Sequence, residues 1–353
     1  MIDLFTFDST IPRIVFGVGS LSKVSEELGR LGRSRALVLS TPHQENDARA
    51  LATALGPRAV GAFSGAVMHT PVDVTAAALA RFNGSGADCI VSLGGGSTIG
   101  LGKAIALRNN APQLVVATTY AGSEVTPILG QTENGIKTTI RTSSVLPKTV
   151  IYDPELTFGL PVPMSVTSGL NAMAHAIEGL YAQDRNPIAS LMGMEGLAAL
   201  RRALPTIVRS PRDPLARADA LYGSGLCGVV LGAVGMSLHH KLCHTLGGTF
   251  DLPHAETHAI LLPHTVSYTE QAVPELLAPV ARLFGSPRAS TGLHDFTLSI
   301  GAPMRLRDLG VTADDLDRAT ALALSNPYWS PRPLEAGGIR SLLQNAWEGV
   351  RPS

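Results

Sequence analysis

The sequence predicts an α/β domain over residues 1–158 followed by an all-helical domain over 159–353, and three observations carry that expectation. Short apolar runs alternate with helical periodicity as far as Pro161, and strand signals almost vanish beyond it. Between the two regions, residues 153–163 (DPELTFGLPVP) interrupt both patterns with prolines and a glycine. A chain of 353 residues that is 45% hydrophobic can bury a core in each half.

In the first half, residues 36–40 (ALVLS), 59–63 (AVGAF), 89–93 (CIVSL) and 114–117 (LVVA) read as strands. Between them Leu21, Val24 and Leu28 recur at helical spacing after Ser20, an expected N-cap. Pro71 opens the next helix, with Val74, Ala78 and Phe82 on one face. Strands alternating with helices imply a sheet with crossover helices. In the second half, helices are expected over 164–182, 187–203, 212–231, 236–247, 273–284 and 313–325. Residues 220–238 are uncharged for nearly the length of a membrane span. However, Gly223, Gly225, Gly228, Gly232 and Gly235 break the run, no aromatic belt flanks it, and it reads as a buried, closely packed helix.

Lysine plus arginine equals aspartate plus glutamate, 28 each, so nothing favours a nucleic acid or an anionic membrane as partner. Cys89, Cys227 and Cys243 form neither a CxxC pair nor an even disulfide framework, which suits buried thiols in a reducing compartment. The N-terminus shows no basic region ahead of an apolar run, and the expected location is cytoplasmic.

The strand CIVSL runs into Gly94, Gly95, Gly96 and Ser97, with a helix starting near Ile99. Strand, glycine turn and helix suit phosphate: bare backbone N–H groups approach the anion and the helix dipole favours its charge. The tetrapeptide alone fits a tight turn without ligand equally well. Thr118, Thr119 and Ser123 follow the next strand, which places a second group of hydroxyls at the carboxyl edge of the same sheet. The pattern is neither GxGxxG nor a GxxxxGK[ST] loop, because Lys103 comes too late, so an ATPase is disfavoured.

In the helical half, Asn171 and His175 are four apart, as are His240 and His244, so each pair shares a helix face; His254 follows the short loop TFDLPH. Any one of these histidines could be a satisfied core or surface residue, but together they read as a functional site.

GGGS after a strand, TTYAGSE, NAMAHAIEGLYA and HHKLCHTLGGTFDLPHAETHAILLPH resemble the iron-containing alcohol dehydrogenase family over nearly the whole chain. The resemblance implies an N-terminal α/β dinucleotide-binding domain and an all-helical C-terminal domain, the fold shared with dehydroquinate synthase. In that family an aspartate and three histidines hold Fe²⁺ or Zn²⁺, and the matching positions are Asn171, His175, His240 and His254. An amide replaces the anionic ligand, which should lower affinity for a divalent cation sharply. The family's usual aspartate after GGGS is Gly100.

Both departures, with TTYAGSEVTP and NPYWSPRP (residues 326–333), look like the branch of dimeric, metal-free members that reduces maleylacetate to 3-oxoadipate with NADH or NADPH in aromatic-compound catabolism. The resemblance then implies that no metal is held and that His244 donates a proton or hydrogen bond, with Asn171, His175, His240 and His254 around it. Tyr120, Lys241 and Arg332 are expected on a dicarboxylate substrate. Gly94, Gly95, Gly96 and Ser97 should meet the pyrophosphate, and Thr118, Thr119 and Ser123 the ribose and nicotinamide. Lys137 matches a family lysine near the cofactor. Thr41 stands where an acidic residue would bind the adenosine ribose, which leaves room for a 2′-phosphate. The competing expectations are a metal-dependent alcohol or aldehyde dehydrogenase of the same family, a metal-dependent cyclase resembling 3-dehydroquinate synthase, and a catalytically dead scaffold.

Overall fold

The computed structural model describes residues 4–133 and 136–353. In chain order the strands are β1 (Arg13–Phe16), β2 (Ala36–Leu39), β3 (Ala59–Phe63), β4 (Cys89–Gly94), β5 (Gln113–Ala117), β6 (Ile128–Glu133), β7 (Ile136–Arg141) and β8 (Thr149–Tyr152). The helices among them are α1 (Val24–Arg30), α2 (Glu45–Leu55), α3 (Val72–Ser85) and α4 (Gly96–Asn109). Helices alone follow: α5 (Val162–Leu180), α6 (Pro187–Arg209), α7 (Pro214–Ala233), α8 (Leu238–Phe250), α9 (His254–Glu270), α10 (Pro274–Leu283), α11 (Ala289–Ser299), α12 (Asp315–Ser325) and α13 (Ala336–Glu348).

The chain groups into two compact units, Thr10–Leu160 and Pro161–Ser353, and the described residues up to Ser9 go with the second. The division thus falls two residues beyond the expected 158/159, for a physical reason. Asp153 caps the short 3₁₀ turn Pro154–Thr157 through the Glu155 N–H and also accepts the Leu21 N–H at 3.0 Å. The Leu160 N–H then closes on the Thr157 carbonyl, and this segment stays tied to the α/β unit until Pro161 starts α5.

In the α/β unit the sheet order is β1-β8-β5-β4-β2-β3, and every neighbouring pair is parallel; β6 and β7 form a separate antiparallel hairpin. Alternate residues feed opposite faces. Val38, Val91, Leu114, Val116 and Ile151 pack with Val24, Leu28 and Leu51 on one side, while Leu37, Leu39 and Ile90 pack with Ala78, Phe82, Leu101 and Ile105 on the other. Burial on both faces explains why these strands read as unbroken apolar runs. From β2 the chain crosses outward to β3, whereas from β4 it crosses the other way to β5. The carboxyl ends of β2 and β4 therefore form the topological switch point, where ligands of such sheets bind. Ser20 is not an N-cap: Gly19 precedes a 3₁₀ turn, and the Ser20 hydroxyl donates to the Tyr152 carbonyl, which fastens that turn to β8.

In the helical unit, α8, α9, α12 and α13 share a core that includes Leu242, Leu246, Leu261, Leu316 and Leu343. Helices α9, α11 and α13 lie outside the expected set. The uncharged run 220–238 ends α7, breaks, and enters α8. A Cβ on Gly223 would lie 2.8 Å from the Gly196 carbonyl, so the glycine there lets α7 approach α6 closely. No single helix among the described residues is long and apolar enough to cross a membrane. None of the three cysteines is in a disulfide, and all three are buried.

Candidate functional site

Two constellations carry chemistry, one in each unit. In the α/β unit, β4 ends at Gly94 with φ +154°, a conformation that side-chain-bearing residues rarely adopt. Gly95 is the N-cap of α4 and supplies no capping side chain, and the first turn holds no acidic residue. The first intrahelical bond is Ile99 N–H to the Gly95 carbonyl, so the N–H groups of Gly96, Ser97 and Thr98 are the orphan donors of a 14-residue helix. A Cβ added at Gly96 would meet nothing within 4 Å, which leaves open space over those donors. These are the properties of a pyrophosphate cradle, and the residues fit a dinucleotide cofactor.

The neighbouring loops close on this turn. A Cβ at Gly95 would fall 2.5 Å from Thr119 Oγ1, and the Thr118 N–H bonds the Gly94 carbonyl at 3.1 Å. From the loop after β2, Gln44 Nε2 donates to Thr118 Oγ1 at 3.1 Å, three residues past Thr41. The structure thus gathers Gly94, Gly95, Gly96, Ser97, Thr118 and Thr119 at the switch point. Ser123 opens the next 3₁₀ turn, Ser123–Val125. Lys137 falls on β7, and its side chain lies outside the described residues. Tyr120, expected on the substrate, is fully buried within this unit.

In the helical unit, Asn171 and His175 project from α5, His240 and His244 from α8, and His254 starts α9. The rings form a contiguous set. Centroids are 5.1 Å apart for His175–His240 and 6.0 Å for His240–His244, and His244 stacks on His254 at 6.4 Å. His258, one turn beyond His254, lies 4.4 Å from it and 5.0 Å from His240. Sequence reading missed His258, as it missed Glu178, His239 and Tyr328.

Glu178 anchors the cluster. Its carboxylate accepts the N–H groups of Ser237 and His239 at the start of α8 and takes His240 Nδ1–H at 2.6 Å. Burial opposes its charge, but His240 and these donors outweigh it and hold the carboxyl below its usual range. Thr265 Oγ1 donates its proton to the Leu261 or Leu262 carbonyl, so it accepts from His239 Nδ1–H at 2.9 Å. Burial pulls His239 down to about 3, so the ring is neutral and its Nε2 accepts from His258 Nδ1–H at 2.9 Å. Burial and the adjacent imidazoles also keep His258 and His175 well below the ordinary histidine range.

His244 Nδ1 and the Tyr328 hydroxyl are 3.0 Å apart, and the Lys241 ammonium stands 5.7 Å from the Tyr328 ring centroid. Lys241 thus stands beside the tyrosine that bonds His244. Arg332 lies 3.9 Å over the Tyr268 ring and donates to the Tyr268 carbonyl, while the Tyr268 hydroxyl bonds the Pro333 carbonyl. These contacts clasp the segment that carries Tyr328.

The family model described as Fe-containing alcohol dehydrogenase, C-terminal, matches residues 165–347, and the model described as iron-containing alcohol dehydrogenase matches 12–154. The chain belongs to the iron-containing alcohol dehydrogenase family. Among the family's curated members, the maleylacetate reductase of Rhizobium sp. strain MTP-10005 is 66% identical, with 99% of each chain covered. The crystal structure of maleylacetate reductase from Agrobacterium tumefaciens superposes with a TM-score of 0.96 at 64% identity, covering 99% of this chain and 100% of that one. An iron-containing alcohol dehydrogenase from Corynebacterium glutamicum is 40% identical with a TM-score of 0.94, covering 99% and 98%.

The family's ion can be tested against the donors present. Asn171 Oδ1, His175 Nδ1 and His240 Nε2 are buried without hydrogen-bond partners, but Asn171 brings no charge and the Glu178 carboxylate is consumed by His240 and α8. Among the described residues, the one group of three whose ligand atoms lie within 4.8 Å of each other is His239, Cys243 and His258, not the family's set. In that group the 2.9 Å separation of two imidazole nitrogens is already bridged by a proton. The family's set therefore offers no free anion to match the charge of a divalent ion.

Proposed function

We infer that this chain is a maleylacetate reductase, which reduces the carbon–carbon double bond of maleylacetate with NADH or NADPH to give 3-oxoadipate in aromatic-compound catabolism. The observation that carries the reading is position 171: in a full-length match to enzymes of that name, an amide faces the histidines where an ion site needs an anion. The metal-dependent alcohol or aldehyde dehydrogenase alternative is not favoured.

The bound nicotinamide supplies the hydride. The α4 N-terminus and the glycine turn bind the pyrophosphate, and Thr118, Thr119 and Ser123 serve the ribose and nicotinamide side. No acidic side chain occupies residues 41–44 (TPHQ), which supports use of both NADH and NADPH. Hydride addition to the alkene leaves negative charge on the conjugated ketone oxygen. His244 provides the proton or hydrogen bond that charge requires, oriented through Nδ1 by Tyr328, and the product then carries one added hydride and one added proton. Lys241 supplies positive charge beside Tyr328 for a substrate carboxylate. No step passes through a metal.

The working form is a homodimer of the cytoplasm. β1 is an outermost strand with Ile14 and Phe16 exposed beside Ile11 and Val18, an apolar edge that a second copy would cover. Chelator-treated enzyme tests the reading. It should oxidise NADH with maleylacetate at the untreated rate and carry far less than one metal ion per chain. Loss of activity restored by Fe²⁺ or Zn²⁺ would overturn the metal-free mechanism, and no turnover of maleylacetate at all would overturn the function.

A further inference from the structure

Among the described residues Lys103 is the only lysine with no exposure, and the chemistry above makes no use of it. It lies on α4, two turns beyond the glycine turn. Its ammonium reaches the carbonyls of Ser123, Thr126 and Ile128 at 2.7, 2.8 and 2.8 Å and Thr126 Oγ1 at 3.0 Å, with Ser123 Oγ at 3.5 Å. All five oxygens belong to one stretch of chain, the continuation of the loop that carries Thr118, Thr119 and Ser123. Glu124, in the same stretch, is fully buried and accepts from the Tyr152 hydroxyl at 2.8 Å. An ammonium here is an expensive choice for packing: burial draws Lys103 down to about 7, against the opposing pull of Glu124. An apolar side chain would fill the space, but it would not collect three carbonyls that otherwise point at one another's negative ends.

We propose that Lys103 is a positioning residue of the cofactor site: it gathers the carbonyls of Ser123, Thr126 and Ile128 onto α4 and so holds the hydroxyl-bearing loop against the glycine turn. The proposal rests on the reading of that turn and loop as the nicotinamide-cofactor site. The contact it protects is close, since the Thr119 side chain occupies the place a Cβ on Gly95 would take. Releasing the carbonyls displaces Thr118 and Thr119 relative to the orphan donors of α4. Cofactor affinity then falls, although Lys103 touches no cofactor atom. The histidine cluster, built entirely on other helices, is unaffected.

The test uses the full-length enzyme as wild type, Lys103→Met, Lys103→Arg and Thr126→Val, with NADH binding followed by fluorescence and steady-state kinetics varied in each substrate. Lys103→Met should raise Kd and KM for NADH about tenfold or more, while kcat at saturating NADH and KM for maleylacetate stay within about threefold. Thr126→Val, which removes one acceptor and leaves the ammonium, should move NADH affinity the same way by about two- to fivefold, and Lys103→Arg should recover part of the methionine variant's loss. A folded Lys103→Met with wild-type NADH affinity overturns the proposal, as does an equal fall in kcat and in affinity for both substrates. If Lys103→Met does not fold, Thr126→Val decides alone, and an unchanged NADH Kd there overturns it. A wild type that binds neither NADH nor NADPH removes the cofactor reading itself, which separates that failure from failure of the clamp.

Discussion

A carboxylate at position 171 should strengthen the pocket's hold on a divalent ion. Asn171 is 5% exposed, its Oδ1 has no partner, and His175, one turn along α5, has an unpartnered Nδ1. A carboxylate about 5 Å from a unit positive charge, at an effective dielectric of about 20, is worth about 3 kcal/mol, and about twice that against a divalent cation. Burying the new carboxylate costs several kcal/mol of this, which leaves about 3 kcal/mol, or about a hundredfold in affinity. Asn171→Asp should therefore bind Zn²⁺ about a hundredfold more tightly than wild type in calorimetric titration. Its rate with NADH and maleylacetate should drop at least about tenfold, because a buried anion repels a dianionic substrate. Equal Zn²⁺ affinity in the two proteins, or an ion that wild type retains through chelation and needs for turnover, would refute the argument that the missing charge decides the chemistry.

Four further outcomes follow from the same geometry. His244→Ala should lower kcat by about 10²- to 10⁴-fold, the range for loss of a general acid; Tyr328→Phe should lower it less while leaving the pH profile's shape unchanged, since burial, reinforced by Glu178, raises the Tyr328 hydroxyl and keeps it protonated. Glu178 is held below its usual range when folded, so its contribution to stability is present above the unfolded value of about 4.3 and is lost as pH falls through the lower folded value. Urea titrations of Glu178→Gln near pH 7 and pH 4 should show a smaller pH-dependent loss of stability than wild type. Gly95→Ala would set a Cβ 2.5 Å from Thr119 Oγ1 and should raise KM for NADH about tenfold with little change in kcat, read from initial rates.

What the sequence revealed follows burial on both faces. β2, β3, β4 and β5 were readable because strands covered by helices are continuous apolar runs. β1 exposes Ile14 and Phe16 at the sheet edge and so shows no buried apolar run, and β8, although fully buried, has only Val150 and Ile151 between Thr149 and Tyr152, too short an apolar run to separate it from loop. α9 was missed because Pro263 and three histidines break its apolar pattern, and its register is set by contacts with α5, α8, α11 and α13. The histidines themselves were legible by i,i+4 spacing. Their anchors were not: Glu178 reads as a solvated charge until α8 starts directly on its carboxylate, and Tyr328 lies some eighty residues from the ring it bonds. The signal that could have found Glu178 is its place one further turn along the Asn171–His175 face. For a related reason nothing local marks Tyr268 as the partner of Arg332.

Burial divides the labour among the six clustered imidazoles. His175, His239, His240 and His258 are buried at 3% exposure or less, whereas His244 and His254 keep intermediate exposure. His175, His239 and His258, sealed from water and held neutral by burial, cannot be reprotonated on each turnover, and His240 is sealed from water with its Nδ1 on Glu178. What such rings can do is fix neighbours, and the chain from Thr265 through His239 to His258 does so by assigning every proton in it. The proton that completes alkene reduction must be replaced from solvent each cycle, which leaves His244 and His254 as the rings able to deliver it. Of these, His244 has the hydroxyl of Tyr328 against Nδ1 and an ammonium nearby to draw in a carboxylate. The neutral amide at position 171 belongs to the same logic. An anion there would pin an ion or a proton among the buried rings, away from the half-exposed histidine that needs it.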